Sequence, residues 1–514
     1  MSGLPVRLAS LVVAVAAGAL VASGALGSWS GFAAVVPASS GTARDVPLQA
    51  AQTVLVCPAG PVLADAGGTD EDFAADPAET ATAVRATSSG PGARLVGAAV
   101  PAPDPLTDET EPAVPLEVLE QGPLQSITTS AVPSVTLVAV PDGSEQAGLS
   151  ALRTSLTGSG DLRGLAATSC VEPSTRSYLV GGGVAPGRSG VIQLSNPGRT
   201  PVTVDLRVLT ADGPVEPEAA QDLVVAPGSV RELLLEALVP AQPVLAVEVT
   251  AEGGRVAAAM ADAELAGVVP GGVEVVPATA ASTAAVLPAV PADTGQLSLR
   301  IAVPGQAPAV VGWRVEGPDG VVVPTADSVT SVQPGQAVDV PLSGLGAGPL
   351  NLVVESDQPV AVSATSVVGP VSAGPGAAGG AVERAYVVPA PAVVGSTVVT
   401  LPGAPVGATL VLSSGGDGDA EVTVTPLDDL LEDGQGVELE VVAGQALPVP
   451  ADAIVGARAV RLDIRSGAVH AALALSAPAQ DQAQAPLVSV VPVTVPAPVQ
   501  RSLRVDTVEP GRWP

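Results

Sequence analysis

Catalysis needs nucleophiles, bases or metal ligands within reach of one another, and this 514-residue chain is poor in all three. Its one histidine, His470, sits in GAVHAALAL. A general base needs an orienting partner and a nearby nucleophile, and a lone histidine in an alternating apolar segment reads as a structural or solvent-facing strand residue. All 21 basic residues are arginines, from Arg7 to Arg512, so covalent catalysis through lysine is excluded. The chain has no G-x-x-x-x-G-K-[ST] phosphate loop and no serine in a G-x-S-x-G context; Gly187-Arg188-Ser189-Gly190 reads as a turn.

Carboxylates are abundant. A pair of them could hydrolyse a glycoside, but sugar-cleaving clefts also present aromatic platforms. Here there are three Trp (Trp29, Trp313, Trp513), two Tyr (Tyr178, Tyr386) and two Phe (Phe32, Phe73). Trp313, in VVGWRVEG, alternates with apolar neighbours and reads as core. Asp417-Gly418-Asp419, Asp428-Asp429 and Glu432-Asp433 offer oxygen ligands for Ca²⁺. The first group falls where another repeat has the turn NPGRT, and the spacing of a calcium-binding helix-loop-helix is missing. Two cysteines, Cys57 and Cys170, with the distant His470 do not make a zinc site. No catalytic residue, metal or cofactor is expected. In an oxidising compartment the two cysteines form one disulfide, closing a loop of about 110 residues and stabilising by roughly 4 kcal/mol.

The compartment follows from the N-terminus and the charge. Leu8 to Leu26 is a 19-residue apolar run without charge, preceded by Arg7. That length spans a bilayer core, and the preceding Arg predicts a cytoplasmic N-terminus with the remainder outside. Trp29 and Phe32 follow where interfacial aromatics sit. The length favours an uncleaved anchor; cleavage at Ser23-Gly24-Ala25, giving a freely secreted protein, is the alternative. With 51 acidic residues the net charge is −30, which repels nucleic acid and anionic lipid surfaces. The acidity itself reads as a solubility device.

The elements that would position any site are strands. The chain is long enough for roughly three to five domains. Aromatics are 1% of residues while Gly (57) and Pro (52) are frequent, so cores of Val, Leu and Ala in short turn-punctuated strands are expected. From Ser177 a pattern recurs. Apolar segments run into Gly or Pro in SYLVGGGVAPG, AAVLPAVPADTG and AYVVPAPAVVG, from Ser177, Ala284 and Ala385. A strand-turn-strand follows, then a hairpin such as VLAVEVTAEGGRVAAAMADAE. The period of about 100 residues is that of an immunoglobulin-like β-sandwich. The fold class expected is all-β: tandem immunoglobulin-like sandwiches after an N-terminal signal or anchor. A closed propeller-like ring of β repeats is the alternative, because TVLVCPAGPV from Thr53 and VSVVPVTVPAP from Val488 also resemble repeat openings. The organisation predicted is a signal or anchor over 1–32, a linker over 33–52 and a divergent β domain over 53–176. Repeats follow over 177–270, 284–370 and 385–478, with a terminal strand and tail over 486–514. The acidic, proline-broken stretch Asp65 to Thr110 reads as loop.

VCPAGP at Cys57, and SCVEPSTRSYLVGGGVAPGRSGVIQLSNPG around Cys170, resemble an actinobacterial family of exported proteins, number 5719 in the domain-of-unknown-function series. The resemblance covers roughly residues 50 to 480. Tyr178 stands where members of that family carry an aromatic. It implies a compartment and an architecture, with no activity or catalytic residue to carry over. The function expected is therefore non-catalytic: an extracytoplasmic envelope protein, held to the membrane by its N-terminal segment. It would present a β-sandwich surface to another exported protein or a cell-wall partner. The alternatives are an envelope polysaccharide hydrolase using Asp and Glu, or a freely secreted binding module.

Overall fold

The structure, a computed structural model, describes residues 44–47, 50–61, 79–90, 92–102, 111–121, 124–142, 146–292, 295–322, 328–345, 348–369, 380–416, 418–428, 431–478, 485–495 and 502–505. The described residues form antiparallel β-sheets with three single-turn 3₁₀ helices. The Leu8–Leu26 segment lies outside them. No helix among them is long and apolar enough to cross a membrane.

Alternation builds the sheets. In Val202–Thr210 the Val and Leu side chains at 202, 204, 206 and 208 are buried while Thr203, Asp205 and Arg207 are half-exposed. A period of two thus turns one face to a core. Four sheet pairs result, with one strand order throughout. The second pair shows it most plainly. One sheet runs Arg176–Val180, Leu245–Glu252, Val202–Thr210, Gly213–Val215, and the other Ser229–Leu234, Arg188–Asn196, Ala257–Ala266, Val269–Pro277. Leu179, Val204 and Val247 of one sheet and Ile192, Leu194 and Met260 of the other share a single core. In the third pair the 20-residue strand Pro349–Val368 runs through both sheets, joining them into one eight-stranded sheet.

Each pair has an opening strand at the edge of one sheet and a closing strand at the edge of the other. The opening strands are Thr53–Cys57, Arg176–Val180, Ser282–Pro291 and Ser396–Thr400, and the closing strands are Gly164–Ser169, Val269–Pro277, Glu383–Val387 and Leu487–Pro492. The closing strands meet in a cycle. Gly164–Ser169 touches Val269–Pro277, which touches Glu383–Val387, which touches Leu487–Pro492, which touches Gly164–Ser169 again. The four sheet pairs therefore form a ring closed between its first and last members. Sandwich-like repeats and a closed ring, weighed as alternatives in the sequence, coexist in one molecule. Gly164–Ser169 is buried at every position and Val269–Pro277 at all but its first two, so alternation disappears where strands are covered on both faces.

All four seams are packed and hydrogen-bonded. Leu152, Leu165 and Ala167 of the first repeat lie in the core of the fourth, where Thr400 N–H donates to Ser150 Oγ at 3.0 Å. Ala59 N–H donates to Gln193 Oε1 between the first and second repeats (2.8 Å). The next two seams repeat a device: Arg207 donates to the Pro304 carbonyl (2.7 Å) and Arg314, on the equivalent strand, to the Gly415 carbonyl (2.6 Å).

Three placements differ from the sequence reading. The Asp65–Thr110 stretch contains two full strands, Thr80–Ser89 and Arg94–Val100. Thr alternating with Ala and Val is strand-forming despite its polarity. The segment from Ala385, read as a repeat opening, pairs with Pro349–Val368 and closes the third repeat; likewise Leu487–Pro492 closes the fourth. Opening and closing strands share the pattern of Val running into Gly or Pro although they run antiparallel where they meet, with Val56 opposite Val171 and Tyr178 opposite Thr279. Separately, residues assigned to linker and tail, Arg44–Pro47 and Ser502–Val505, pair antiparallel with Arg44 opposite Val505.

Cys57 and Cys170 are joined in a disulfide, both fully buried. Cys57 ends the opening strand of the first repeat and Cys170 follows its closing strand, so the bond ties the two sheets together. The bridged residues are 113 apart. Replacing both by Ser should lower unfolding free energy by about 4–5 kcal/mol on the loop-entropy account. A urea titration followed by circular dichroism checks this, with the β spectrum at zero urea unchanged.

Candidate functional site

The central strands deliver their C-terminal ends to one cavity of about 700 Å³. Its wall is built from the residues that follow each closing strand, with Val171 from the first repeat, Pro277 and Thr279 from the second, Pro389 and Pro391 from the third, and Thr494 and Val495 from the fourth. Leu55, Val286 and Val353 add aliphatic surface. The charged and titratable lining residues are Glu172, Arg176, Glu355 and His470.

Three of these four are engaged. The His470 ring contacts the Ala390 carbonyl through Nδ1 at 2.7 Å. A carbonyl only accepts, so Nδ1 carries the hydrogen. Its ring edge lies against Gly415, where a Cβ would come within 3.2 Å of it. Arg176 pairs with Glu248 (3.1 Å) and Glu355 with Arg314 (3.1 Å). The cavity is therefore a small-residue, largely aliphatic recess with a few tethered polar groups, suited to holding a ligand or a partner's side chains.

Beneath it lies a polar axis that the sequence reading missed. Arg188 binds Asp262 through two bonds of 2.9 Å, and the Tyr386 hydroxyl donates to Asp262 (2.7 Å) while accepting from Arg188 (2.6 Å). Burial alone would push the Asp262 carboxyl up; the Arg188 guanidinium outweighs it and holds the group below the usual carboxylate range. Arg384 pairs with Glu264 at 2.5 Å. Arg300 reaches from the third repeat to the carbonyls of Gly182 (2.6 Å) and Leu245 (3.1 Å) while pairing with Asp339. Two further carboxylates are fully enclosed. Glu383 accepts from the Leu165 N–H (3.3 Å) and Arg384 N–H (3.2 Å), and burial pushes it up to about 8. Glu274 accepts from the Ala167 and Val275 N–H groups, each at 2.9 Å, and burial raises it well above the ordinary range.

The Val-Gly-Gly-Gly stretch exists to admit this axis. A Cβ at Gly181 would lie 2.7 Å from Val276 and 3.1 Å from the Tyr386 ring, and one at Gly183 2.6 Å from the Arg188 guanidinium. Gly187-Arg188-Ser189-Gly190, read as a turn, does turn at Gly187 (φ +74°), but Arg188 is the pivot of the second seam with the third. One or two charges inside an otherwise apolar run (AMADAEL, GGVEVVP, VERAYVV) were the available signal for Asp262, Glu274 and Glu383.

The remaining sequence-selected residues that are described are engaged in contacts within the repeats. Trp313 is buried in the third core, and the Tyr178 hydroxyl donates to Glu248. Among the acidic-loop residues, Asp419 accepts from the Ala443 N–H, Asp428 from the Glu432 N–H, and Asp433 pairs with Arg461. Asp417, Asp429, Trp29, Phe32, Phe73 and Trp513 lie outside the described residues. Among the described residues no three His, Cys, Asp or Glu side chains gather as metal ligands would.

The model of a family of unknown function (DUF5719) matches residues 125–452, more than half of the chain. The matched span takes in Cys170, the Val-Gly-Gly stretch and the polar axis, but not Cys57. No curated protein matches the chain.

Asp262→Asn leaves Arg188 uncompensated in the interior and should cost about 3–5 kcal/mol in a denaturant titration, whereas Tyr386→Phe should cost about 1–3 kcal/mol. For Glu383, the folded state holds a proton that the unfolded chain releases above the usual carboxylate range. Its contribution is full below about pH 4.5 and declines as pH rises towards about 8. Glu383→Gln should make the fall in thermal midpoint between those pH values shallower than in the parent protein.

Proposed function

The chain belongs to this family of unknown function, and we propose that it is a non-catalytic protein of the cell envelope, exported through its N-terminal apolar segment and anchored by it. The ring presents its axial cavity and surrounding rim as an interaction surface for another exported protein or a cell-wall partner. The observation that carries this reading is the use made of the reactive side chains. The histidine and most of the charged side chains near the axis hold one repeat to the next, which is the economy of a rigid scaffold. The buried Cys57–Cys170 disulfide supports an oxidising compartment, and the uncharged Leu8–Leu26 run preceded by Arg7 supports export with the C-terminal region outside. The −30 charge disfavours nucleic acid.

A C-terminal alkaline phosphatase fusion, active only after export, should be active, and deleting residues 8–26 should silence it. An inactive full-length fusion, with a cytosolic reporter active at the same position, would refute export. Purified protein incubated with cell-wall glycans should release no new reducing ends; release that disappears in an Asp or Glu variant would replace the scaffold reading with the hydrolase.

A further inference from the structure

Ser489, on the last closing strand, lies at the one place where the second repeat and both ends of the ring converge. Its hydroxyl oxygen is 2.5 Å from Glu274 Oε2 and 3.3 Å from the Ala167 carbonyl oxygen. All three residues are buried, with Glu274 and Ser489 each 1% exposed. Ala167 belongs to the first repeat, Glu274 to the second and Ser489 to the fourth.

Counting hydrogens at this junction gives a definite result. A serine hydroxyl has one hydrogen to donate. The Ala167 carbonyl can only accept, and an ionised Glu274 could also only accept. One hydrogen cannot serve both contacts, so an ionised Glu274 would leave an acceptor unpaired beside a full buried charge, which is costly. A neutral Glu274 completes the set: its O–H donates to Ser489 Oγ, and Ser489 donates to the Ala167 carbonyl. Glu274 Oε1 keeps the Ala167 and Val275 N–H groups as donors.

The surroundings supply no cation to this carboxyl in place of the proton. Its register partner on the neighbouring strand is another carboxylate, Asp262, followed on that strand by Glu264. Strand Glu383–Val387 contributes Glu383, Arg384 and Tyr386, strand Gly164–Ser169 is preceded by Arg163, and Leu487–Pro492 contributes Ser489. Arg188 and Arg384 are committed to Asp262 and Glu264, and neither is left to compensate Glu274.

We propose that Glu274 holds a proton at neutral pH and that this proton latches the ring, linking the first, second and last repeats through Ser489. The latch is pH-sensitive in one direction: loss of the proton leaves the single Ser489 hydroxyl hydrogen to serve both the Glu274 carboxylate and the Ala167 carbonyl, and loosens the seam between first and last repeats. It is independent of any reading of the protein's function.

The test uses the full chain. Infrared difference spectra between the parent protein and Glu274→Gln at neutral pH should show the carbonyl band of a protonated carboxylic acid, distinct from the band of Glu383, that is lost in Glu274→Gln and retained in Glu383→Gln. In Glu383→Gln, where that second carboxyl no longer titrates, alkaline titration should raise amide hydrogen exchange in Gly164–Ser169 and Leu487–Pro492, and adding Glu274→Gln, whose amide donates without titrating, should abolish that rise. A band unchanged in Glu274→Gln, or an exchange profile whose pH dependence that variant leaves intact, overturns the proposal. Should Glu274→Gln fail to fold, Ser489→Ala serves instead. It leaves the carboxyl in place without its acceptor, so the band should shift, and an unshifted band overturns the proposal equally.

Discussion

The fold rests on the packing of four closing strands around one axis. A tandem array of sandwiches could stand as beads on a string, each burying its own core. Here the edge strand of each repeat is covered by the edge strands of its neighbours, and the cores of the second, third and fourth repeats each take residues from a neighbour. Leu165 and Ala167 of the first repeat contribute to the core of the fourth, and Tyr386 from the end of the third completes the core of the second. Closure also disposes of a liability, because the strands that would be exposed sheet edges face one another across the axis.

Chain direction turns this packing into a surface. Each repeat ends on the axis and must leave it to begin the next, so the exits of all four closing strands collect at one end. The Pro residues there (Pro277, Pro389 and Pro492) stop the strands where they would otherwise continue to pair. The cavity is a consequence of this topology: four connectors of small and aliphatic residues leave a recess that no single repeat defines. Its lining has contributions from every repeat, so its shape depends on the integrity of every seam, and the disulfide beside it at Cys170 holds one wall in place.

Much of this was legible in the residues. Alternation in Val202–Thr210 and the period of about 100 residues pointed to paired sheets, the isolated cysteines to one disulfide, and the Val-Gly-Gly stretch to its family. The phase of the repeat was not legible, because an opening strand such as Ser177-Tyr-Leu-Val and a closing strand such as Ala385-Tyr-Val-Val have the same composition; only pairing distinguishes them. The strands between residues 80 and 100 were hidden by a window whose acidic flanks dominated its average. The polar axis was hidden for a different reason. Arg188, Asp262 and Glu274 each look like ordinary surface charges when read one at a time, and they become a site only because ring closure brings residues about 120 positions apart (Arg188 with Tyr386 further still) to the same point.

Why a ring of Val, Leu and Ala should carry charges at its centre follows from what apolar packing cannot do. Aliphatic side chains of similar size interchange at little cost, so an axis made only of them would tolerate rotation or slippage of one repeat against the next. A buried carboxylate tolerates neither, because any displacement that breaks its bonds leaves a charge or an acceptor unpaired. Arg188 with Asp262 and Tyr386, and Arg300 with Asp339 and the Gly182 carbonyl, thereby define the second seam with the third, and the Arg314 bond to the Gly415 carbonyl does the same one repeat on. That every cation in the chain is arginine fits this use, since a planar fork can hold a carboxylate and a backbone carbonyl of the next repeat together where an ammonium would act as a single point. The charges on the axis contribute less to net stability than to the uniqueness of the arrangement, and a cavity assembled from four repeats depends on that uniqueness.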